Sequence, residues 1–389
     1  MTATTDQPTR IDGRTRVCTA LAHREPDRIP RDLAGTRYSS IHAQAYRRLR
    51  PALGLEPREP VVVDLSQGLA LVEDDVLDLL DVDVRGIGPR TPHAWRREIV
   101  TDEAYERFVD EWGVQRTRPI DGGLYFEATS APLTGEISDA DIAAFAWPDP
   151  VDPGRFVGLA EDARRYARDE RRAVVCGSVC AGITEMLFRL RGYEDAYMDL
   201  AAEPERARAV MERILAMKLA WWDRALDLLG DDVDVVAEAD DLGGQGSLLF
   251  SPETYRTLVK PLHRELFAFL HARTKAKVFL HSCGAIRELM PDLIEIGVDI
   301  LNPVQVSAAG METAALKRDF GADLVFWGGA VDSQGVLGTG TPEQVEAEAR
   351  RRIADLSPGG GFVFASVHNV QANVPVENIV ALWRAAGGI

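Results

Sequence analysis

Residues 276–302 read AKVFLHSCGAIRELMPDLIEIGVDILN, and this stretch decides the fold. The apolar run AKVFLH predicts a strand, IRELMPDLIEIG predicts a helix, and VDILN predicts a second strand. A strand, a helix and a further strand in succession predict a β-α-β unit, in which the two strands run parallel.

The same alternation continues on both sides, which gives six β-α units from residue 171 onward. Their predicted strands are residues 171–178, 232–238, 276–281, 298–302, 323–328 and 361–367. Two earlier strand candidates, 28–33 and 82–87, bring the total to eight. Eight parallel strands with intervening helices predict an α/β protein with a (β/α)8 (TIM) barrel. An open doubly wound sheet is less favoured, because the strand count suits a barrel and no GxGxxG follows an early strand.

Helix start signals support this alternation. Pro204 lies in the first turn of a predicted helix over 203–229, and Ser251 caps a second helix, in which Pro261 predicts a kink. Thr341 and Gln344 form a capping box at the start of a third helix. Residues 90–150 break the alternation: 112–118 and 124–129 predict a β-hairpin around Asp-Gly-Gly, within an insertion on the barrel. We predict a disordered lead over 1–13 and a single domain over 14–389.

Composition limits the function classes. The chain has 389 residues and a formal charge of −17, a balance that disfavours binding to phosphate backbones. Its four cysteines are spread along the chain and do not suggest a disulfide framework. No apolar run approaches the roughly 20 residues of a membrane span, and the N-terminus lacks the apolar core of a signal peptide. We therefore expect a soluble cytoplasmic protein.

The chemistry-bearing residues follow predicted strand ends. His281 and Cys283 leave the strand AKVFLH at i and i+2, Gly284 permits a tight turn, and His368 follows the last strand. Imidazole and thiolate are zinc ligands, and three of them leave the fourth position open, as in catalytic zinc sites. The alternative interpretation is a hydrogen-bonded core histidine beside a buried cysteine.

Further polar residues lie at the same predicted end of the barrel. Glu238 and Asp241 follow the strand DVDVVAE, where a carboxylate can act as acid, base or ligand, or simply cap a solvated loop. Asn302, Gln305 and Asp332 follow later strands and are candidate substrate-binding residues, although each alone has a structural explanation.

Several sequence strings resemble the uroporphyrinogen decarboxylase superfamily. Beside the HxCG motif at 281–284 they are REPDRIP (24–30), DEWGV (110–114), AWPDPVDPGRF (146–156), EADDLGGQGSLLFSPETY (238–255), GVDILNPVQ (297–305), ALKRDFG (315–321), WGGAVDSQ (327–334) and VPVENI (374–379). The motif resembles that of its zinc-dependent, corrinoid-linked methyltransferases. The resemblance implies a barrel with zinc on His281 and Cys283. It places His368 where the coenzyme M methyltransferases have a second cysteine.

The resemblance leads to one expected function and two alternatives. We expect a methyltransferase, O-demethylase-like, that moves a methyl group between a methoxylated aromatic or similar donor and a corrinoid (cobalamin) carried by a partner protein, since the sequence shows no domain for that cofactor. Glu238 or Asp241 would complete the metal shell or donate a proton. A homodimer follows from the resemblance only. The first alternative is a metal-independent decarboxylase with Asp32 and Arg37 in its pocket, although 31–38 lacks an arginine-rich pattern. The second is a barrel that binds a corrinoid or tetrapyrrole without turnover.

Overall fold

The structure is a computed structural model that describes residues 11–388. Its strands are β1 (Val62–Asp64), β2 (Leu69–Ala70), β3 (Val84–Ile87), β4 (Val100–Thr101), β5 (Tyr105–Val109), β6 (Gln115–Pro119), β7 (Glu127–Ser130), β8 (Ala173–Gly177), β9 (Val235–Ala239), β10 (Lys277–His281), β11 (Ile300–Asn302), β12 (Val325–Trp327) and β13 (Phe362–Val363).

The helices surround the larger sheet. They are α1 (Gly13–Leu21), α2 (Ala43–Ala52), α3 (Asp74–Leu79), α4 (Asp139–Ala144), α5 (Leu159–Arg164), α6 (Ile183–Arg191), α7 (Tyr193–Ala202), α8 (Pro204–Leu229), α9 (Pro252–Thr254), α10 (Lys260–Arg273), α11 (Met290–Glu295), α12 (Thr313–Phe320), α13 (Val336–Thr339), α14 (Pro342–Leu356) and α15 (Val376–Ala385). No helix in the described part of the chain combines the length and the hydropathy of a membrane span.

The larger sheet confirms the predicted (β/α)8 barrel. Seven parallel strands run in the order β13-β12-β11-β10-β9-β8-β3. The seam between β13 and β3 is closed by the segment around Arg31, which was predicted as the first strand. Asp32 N donates to Phe364 O at 2.8 Å, and Asp83 N donates to Arg31 O at 2.9 Å. Pro30 has no backbone N–H to donate, so the eighth strand is reduced to a parallel bridge at Arg31.

Alternate residues of the barrel strands face the lumen. Val235 and Ala237 of β9 and Phe279 of β10 belong to an inner apolar cluster, which is separate from the larger core between the sheet and the helices. Because side chains alternate along a strand, His281 also faces the lumen, two residues beyond Phe279 and at the carboxyl end of β10.

The predicted helix starts are confirmed at three places. Pro204 opens α8, the Ser251 side chain accepts from Thr254 N, and Thr341 and Gln344 cap α14 reciprocally. Pro261 lies in the first turn of α10, directly after a π-helical segment over Tyr255–Val259. The π-helical segment interrupts the regular α-helix just before Pro261, which cannot donate the backbone bond of a regular α-helix, and the kink at Pro261 stays a prediction.

The insertion is an antiparallel sheet in the order β4-β5-β6-β7. The predicted hairpin is confirmed as β6 and β7, but its predicted start at Trp112 was wrong. The Asp110 carboxylate accepts from Trp112 N and Val114 N, both at 3.0 Å, and so folds these residues into a turn. Strands β4 and β5 were missed, since neither shows a clear apolar alternation.

The predicted lead over 1–13 lies mostly outside the described residues, because the structure starts at Ile11. Its last residues begin the first helix instead. The Asp12 side chain accepts from Thr15 N at 2.8 Å, and α1 starts at Gly13.

Candidate metal centre

The three predicted ligands lie together at the carboxyl end of the barrel. The ligand atoms of His281, Cys283 and His368 are all within 4.8 Å of one another. His281 Nε2 lies 3.4 Å from Cys283 Sγ, and the two imidazole rings are 5.4 Å apart between centroids. His281 ends β10, whereas His368 follows β13, so the centre joins strands that are distant in the barrel order.

The geometry of these atoms suits zinc. A tetrahedral zinc with bonds of about 2.0 Å to nitrogen and about 2.3 Å to sulfur places the two donor atoms about 3.5 Å apart. The 3.4 Å between His281 Nε2 and Cys283 Sγ is close to that value. His281 is buried, while Cys283 and His368 are partly exposed, which leaves one side of the centre accessible to a fourth ligand.

Burial sets the protonation of the three groups. It lowers the pKa of His281 to about 4 and the pKa of His368 to about 3, so both imidazoles are neutral and hold a free lone pair. Burial raises the pKa of the Cys283 thiol well above its usual range, and the charges of Asp241 and Glu185 raise it further. Without a metal, Cys283 is therefore a neutral thiol. A cation at this position would favour the thiolate instead, because the thiolate is the form that binds it.

Asn302 fixes the orientation of His281. The Asn302 amide Nδ2 donates to Trp327 O at 2.8 Å, which directs its Oδ1 toward the imidazole. That Oδ1 lies 2.6 Å from His281 Nδ1, so Nδ1 carries the hydrogen and donates it. The lone pair is therefore on Nε2, the nitrogen that faces Cys283. Metal-binding histidines are commonly oriented in this way by an acceptor at the other ring nitrogen.

A tight turn holds Cys283 in place. Cys283 N donates to Asp241 Oδ1 at 2.8 Å, and Gly284 N donates to Gln305 Oε1 at 2.7 Å. Gly284 has a φ of +93°, and a Cβ there would lie 2.2 Å from the backbone of Gly243. Only glycine fits this position. Asp241 and Gln305, predicted as catalytic and substrate-binding residues, thus support the turn, and Asp241 Oδ1 is also 3.8 Å from His281 Nε2.

Two other predicted site residues are not brought to the centre. Glu238 is directed between the sheet and α8, where it accepts from Lys218 Nζ at 2.6 Å and from Ser178 Oγ at 2.8 Å. It is 1% exposed, so this ion pair is fully buried. The Asp332 carboxylate accepts from Gln334 N at 3.0 Å and caps its own loop.

Two residues near the centre were missed in the sequence. The Tyr38 ring stacks on His281 with 3.8 Å between centroids and 12° between planes. Its only signal was its place after the first strand segment, where loops reach the mouth of a barrel. Glu185, in the first turn of α6, is the second: burial raises its pKa to about 7 against the opposing charge of Arg189. No spacing in the sequence connects it with His281.

Comparisons with known proteins fit this description. The sequence matches the family described as uroporphyrinogen decarboxylase (URO-D) over residues 123–388. Over 196 residues it is 26% identical to the methylated-thiol–coenzyme M methyltransferase of Methanosarcina mazei, an alignment that covers 50% of this chain and 48% of that protein. The chain thus matches about half the length of this relative. The fold is similar to the solved structure of a methyltransferase from Methanosarcina mazei, with a TM-score of 0.66 and 17% identity over 97% of this chain and 98% of the other.

Proposed function

The chain belongs to the uroporphyrinogen decarboxylase family, and we propose that within it this protein is a methyltransferase that moves a methyl group between a small molecule and a corrinoid. The observation that carries the proposal is the convergence of His281, Cys283 and His368 within 4.8 Å at the barrel mouth. The aligned relative, whose name describes a methyltransferase acting on methylated thiols, supports the same reaction class. The corrinoid and its separate carrier protein rest on the resemblance of the HxCG motif at 281–284.

We propose that His281, Cys283 and His368 hold zinc. When bound, zinc supplies Lewis acidity toward the leaving atom of the methyl donor. Two neutral imidazoles and one thiolate give this centre one negative ligand, where two thiolates would give two. The smaller ligand charge favours a hard oxygen leaving group over a soft sulfur one. A methoxylated aromatic is therefore our proposed methyl donor.

The protein side chains prepare this reaction in three ways. Asn302 keeps His281 Nε2 directed at the centre, and the turn at Gly284 keeps Cys283 beside it. Tyr38 covers one face of the His281 ring and excludes water from it. Asp241 is our proposed carboxylate for the open side of the centre, because its Oδ1 lies 3.8 Å from His281 Nε2. The ion pair with Lys218 makes Glu238 the less suitable of the two predicted carboxylates.

The transfer balances as a nucleophilic displacement. The O–CH3 bond breaks, the electron pair of Co(I) forms the new Co–CH3 bond, and cobalt becomes formally Co(III). The oxygen leaves as a phenolate and takes up a proton from solvent, so that the demethylated donor is released as a phenol. The corrinoid is thus a substrate of this chain.

Metal-independent decarboxylation is the alternative, and Asp32 is the residue that favours it. Asp32 is 2% exposed inside the barrel, and burial raises its pKa to about 6. Its oxygens already accept from Trp327 Nε1 and Gly35 N, both at 2.8 Å, which gives the carboxylate a supporting role in the first loop. The metal measurement below separates the two functions.

The test is metal content together with methyl transfer. We expect about one zinc per wild-type chain, lost in Cys283→Ala and in His368→Ala. Cys18→Ala and His271→Ala are matched controls, because Cys18 is exposed and His271 lies on the outer helix α10. Methyl transfer from 3-methoxyphenol to free cob(I)alamin, followed by absorbance, should require the metal. Full methyl transfer by a protein without bound metal would refute the zinc proposal, whereas the absence of both bound metal and methyl transfer would favour the decarboxylase.

A further inference from the structure

A cavity of about 230 Å³ lies between the first barrel loop, the insertion sheet and α6. Aromatic side chains and arginines line it together, which is unusual in a protein with a formal charge of −17. The charged lining residues are six arginines and three carboxylates: Arg37, Arg90, Arg97, Arg116, Arg155 and Arg189, with Asp64, Asp110 and Glu111. We call this cavity the arginine pocket. Its excess of positive charge is suited to an anion.

Most of these arginines are already paired. Arg155 pairs with Glu111, Arg116 with Asp110, Arg189 with Glu185 and Arg90 with Asp162. For Arg37 and Arg97, no carboxylate of residues 11–388 lies within ion-pair distance. Both are solvent-exposed and line the cavity, so their guanidinium groups are available to a ligand.

Arg97 is held over aromatic rings. Its guanidinium carbon lies 5.5 Å from the ring centroid of Trp95 and 5.6 Å from that of Phe108. Contact with ring faces orients a guanidinium without using its N–H groups, which remain free to bind a carboxylate with two hydrogen bonds. Trp95, Phe108 and Trp112 also offer apolar surface to a planar ligand. The pocket therefore combines a carboxylate binder with a site for an aromatic ring.

The arginine pocket adjoins the candidate metal centre. Arg37 lies in the pocket wall, and the next residue, Tyr38, stacks on His281 at 3.8 Å. A cavity of about 230 Å³ is smaller than the roughly 300–1,000 Å³ typical of pockets for drug-sized ligands, so its occupant has about one ring. The link between the two sites is the Arg37–Tyr38 segment, since none of the three candidate metal ligands lines the cavity itself.

We propose that the arginine pocket binds the carboxylate of a small aromatic acid and that this acid is the methyl donor. This inference rests on the proposed function and adds to it the class of substrate, a methoxylated benzoate in place of a neutral ether. Arg97 and Arg37 bind the carboxylate, and the aromatic side chains contact the ring.

The experiment is calorimetric titration of the metal-loaded protein with 3-methoxybenzoate and 4-methoxybenzoate, in the absence of cobalamin. We expect saturable binding to the wild type, weakened about tenfold or more in Arg97→Gln. Arg96→Gln is the matched control, because Arg96 is the neighbouring exposed arginine and does not line the cavity. We expect the uncharged methyl ester of 3-methoxybenzoate to bind at least about tenfold more weakly and to be insensitive to Arg97→Gln.

Each outcome decides one question. Equal affinity of wild type and Arg97→Gln, or no binding of either acid, overturns the inference, even if neutral methoxyphenols are demethylated. Acid binding that depends on Arg97, without methyl transfer to cob(I)alamin, supports the arginine pocket as an acid-binding site but refutes the proposed function and, with it, the role of the acid as methyl donor. Arg37→Gln is a second variant, should Arg97→Gln alter the melting temperature.

Discussion

Replacing Asn302 by leucine should weaken zinc binding about 10–100-fold without removing any ligand. Asn302 is 1% exposed and makes two hydrogen bonds, one to His281 Nδ1 and one to Trp327 O. Leucine has a similar size but offers no acceptor, so the imidazole loses the contact that keeps its lone pair on Nε2. The expected loss of affinity corresponds to about 1.4–2.7 kcal/mol. Separately, His281 Nδ1 and Trp327 O would lose their buried hydrogen-bond partner, which should lower the free energy of unfolding of the metal-free protein by about 1–3 kcal/mol.

The assay is competition for zinc with a chromophoric chelator, paired with urea denaturation of the metal-free protein. Asn302→Asp keeps an acceptor near His281 but, like leucine, loses the donor to Trp327 O. Both variants should therefore be less stable, and only leucine should bind zinc much more weakly. Asn378→Leu is a control, because Asn378 is an equally buried asparagine that donates to Leu337 O and Gly340 O. Wild-type affinity in Asn302→Leu, or equal loss in both Asn302 variants, would refute this role of the asparagine.

Two further predictions concern the scaffold of the site. Gly284→Ala should lower the melting temperature and the zinc content together, since its Cβ would lie 2.2 Å from Gly243 and the φ of +93° alone costs about 1–3 kcal/mol. Gly246→Ala, with no atom within 4 Å of the new Cβ, should leave both unchanged. Lys218→Met should reduce the free energy of unfolding in urea by about 3–5 kcal/mol, because it leaves Glu238 buried without its partner. The folded Lys218→Met protein should bind as much zinc per chain as the wild type. A Lys218→Met variant that stayed folded but lost zinc would instead indicate that Glu238 belongs to the metal centre.

The barrel was predictable because its signals are local. Short apolar strands alternate with capped helices, and the caps at Ser251 and Thr341 form as their spacing predicted. The candidate ligands could be grouped from that fold, because strand ends share one mouth in a parallel barrel. This rule grouped three residues into one candidate site, His281, Cys283 and His368, before any distance between them was known.

The placement of Glu238 away from the candidate centre has a physical origin. Both faces of a parallel barrel strand are buried, so β9 reads as VVAEA without a polar and an apolar face. The sequence therefore did not indicate which residues face the lumen. In the structure Val235 and Ala237 do, which directs Glu238 outward to Lys218. Tyr38 was not predicted for a different reason. It lies in a loop, and the hydrophobic periodicity of the sequence does not specify the path of a loop.

The seam of the barrel helps to position one part of the candidate centre. His281 belongs to β10, while His368 and Tyr38 lie on opposite sides of the seam. There Val370 N donates to Ser40 O, His42 N donates to Val370 O, and Ser40 N donates to Asn369 Oδ1, at 2.8–2.9 Å. These bonds hold the loop of His368 against the segment that carries Tyr38. Because these bonds help to position the loop of His368, a metal bound to the three candidate ligands would stabilise the closed seam over a state in which that loop is released.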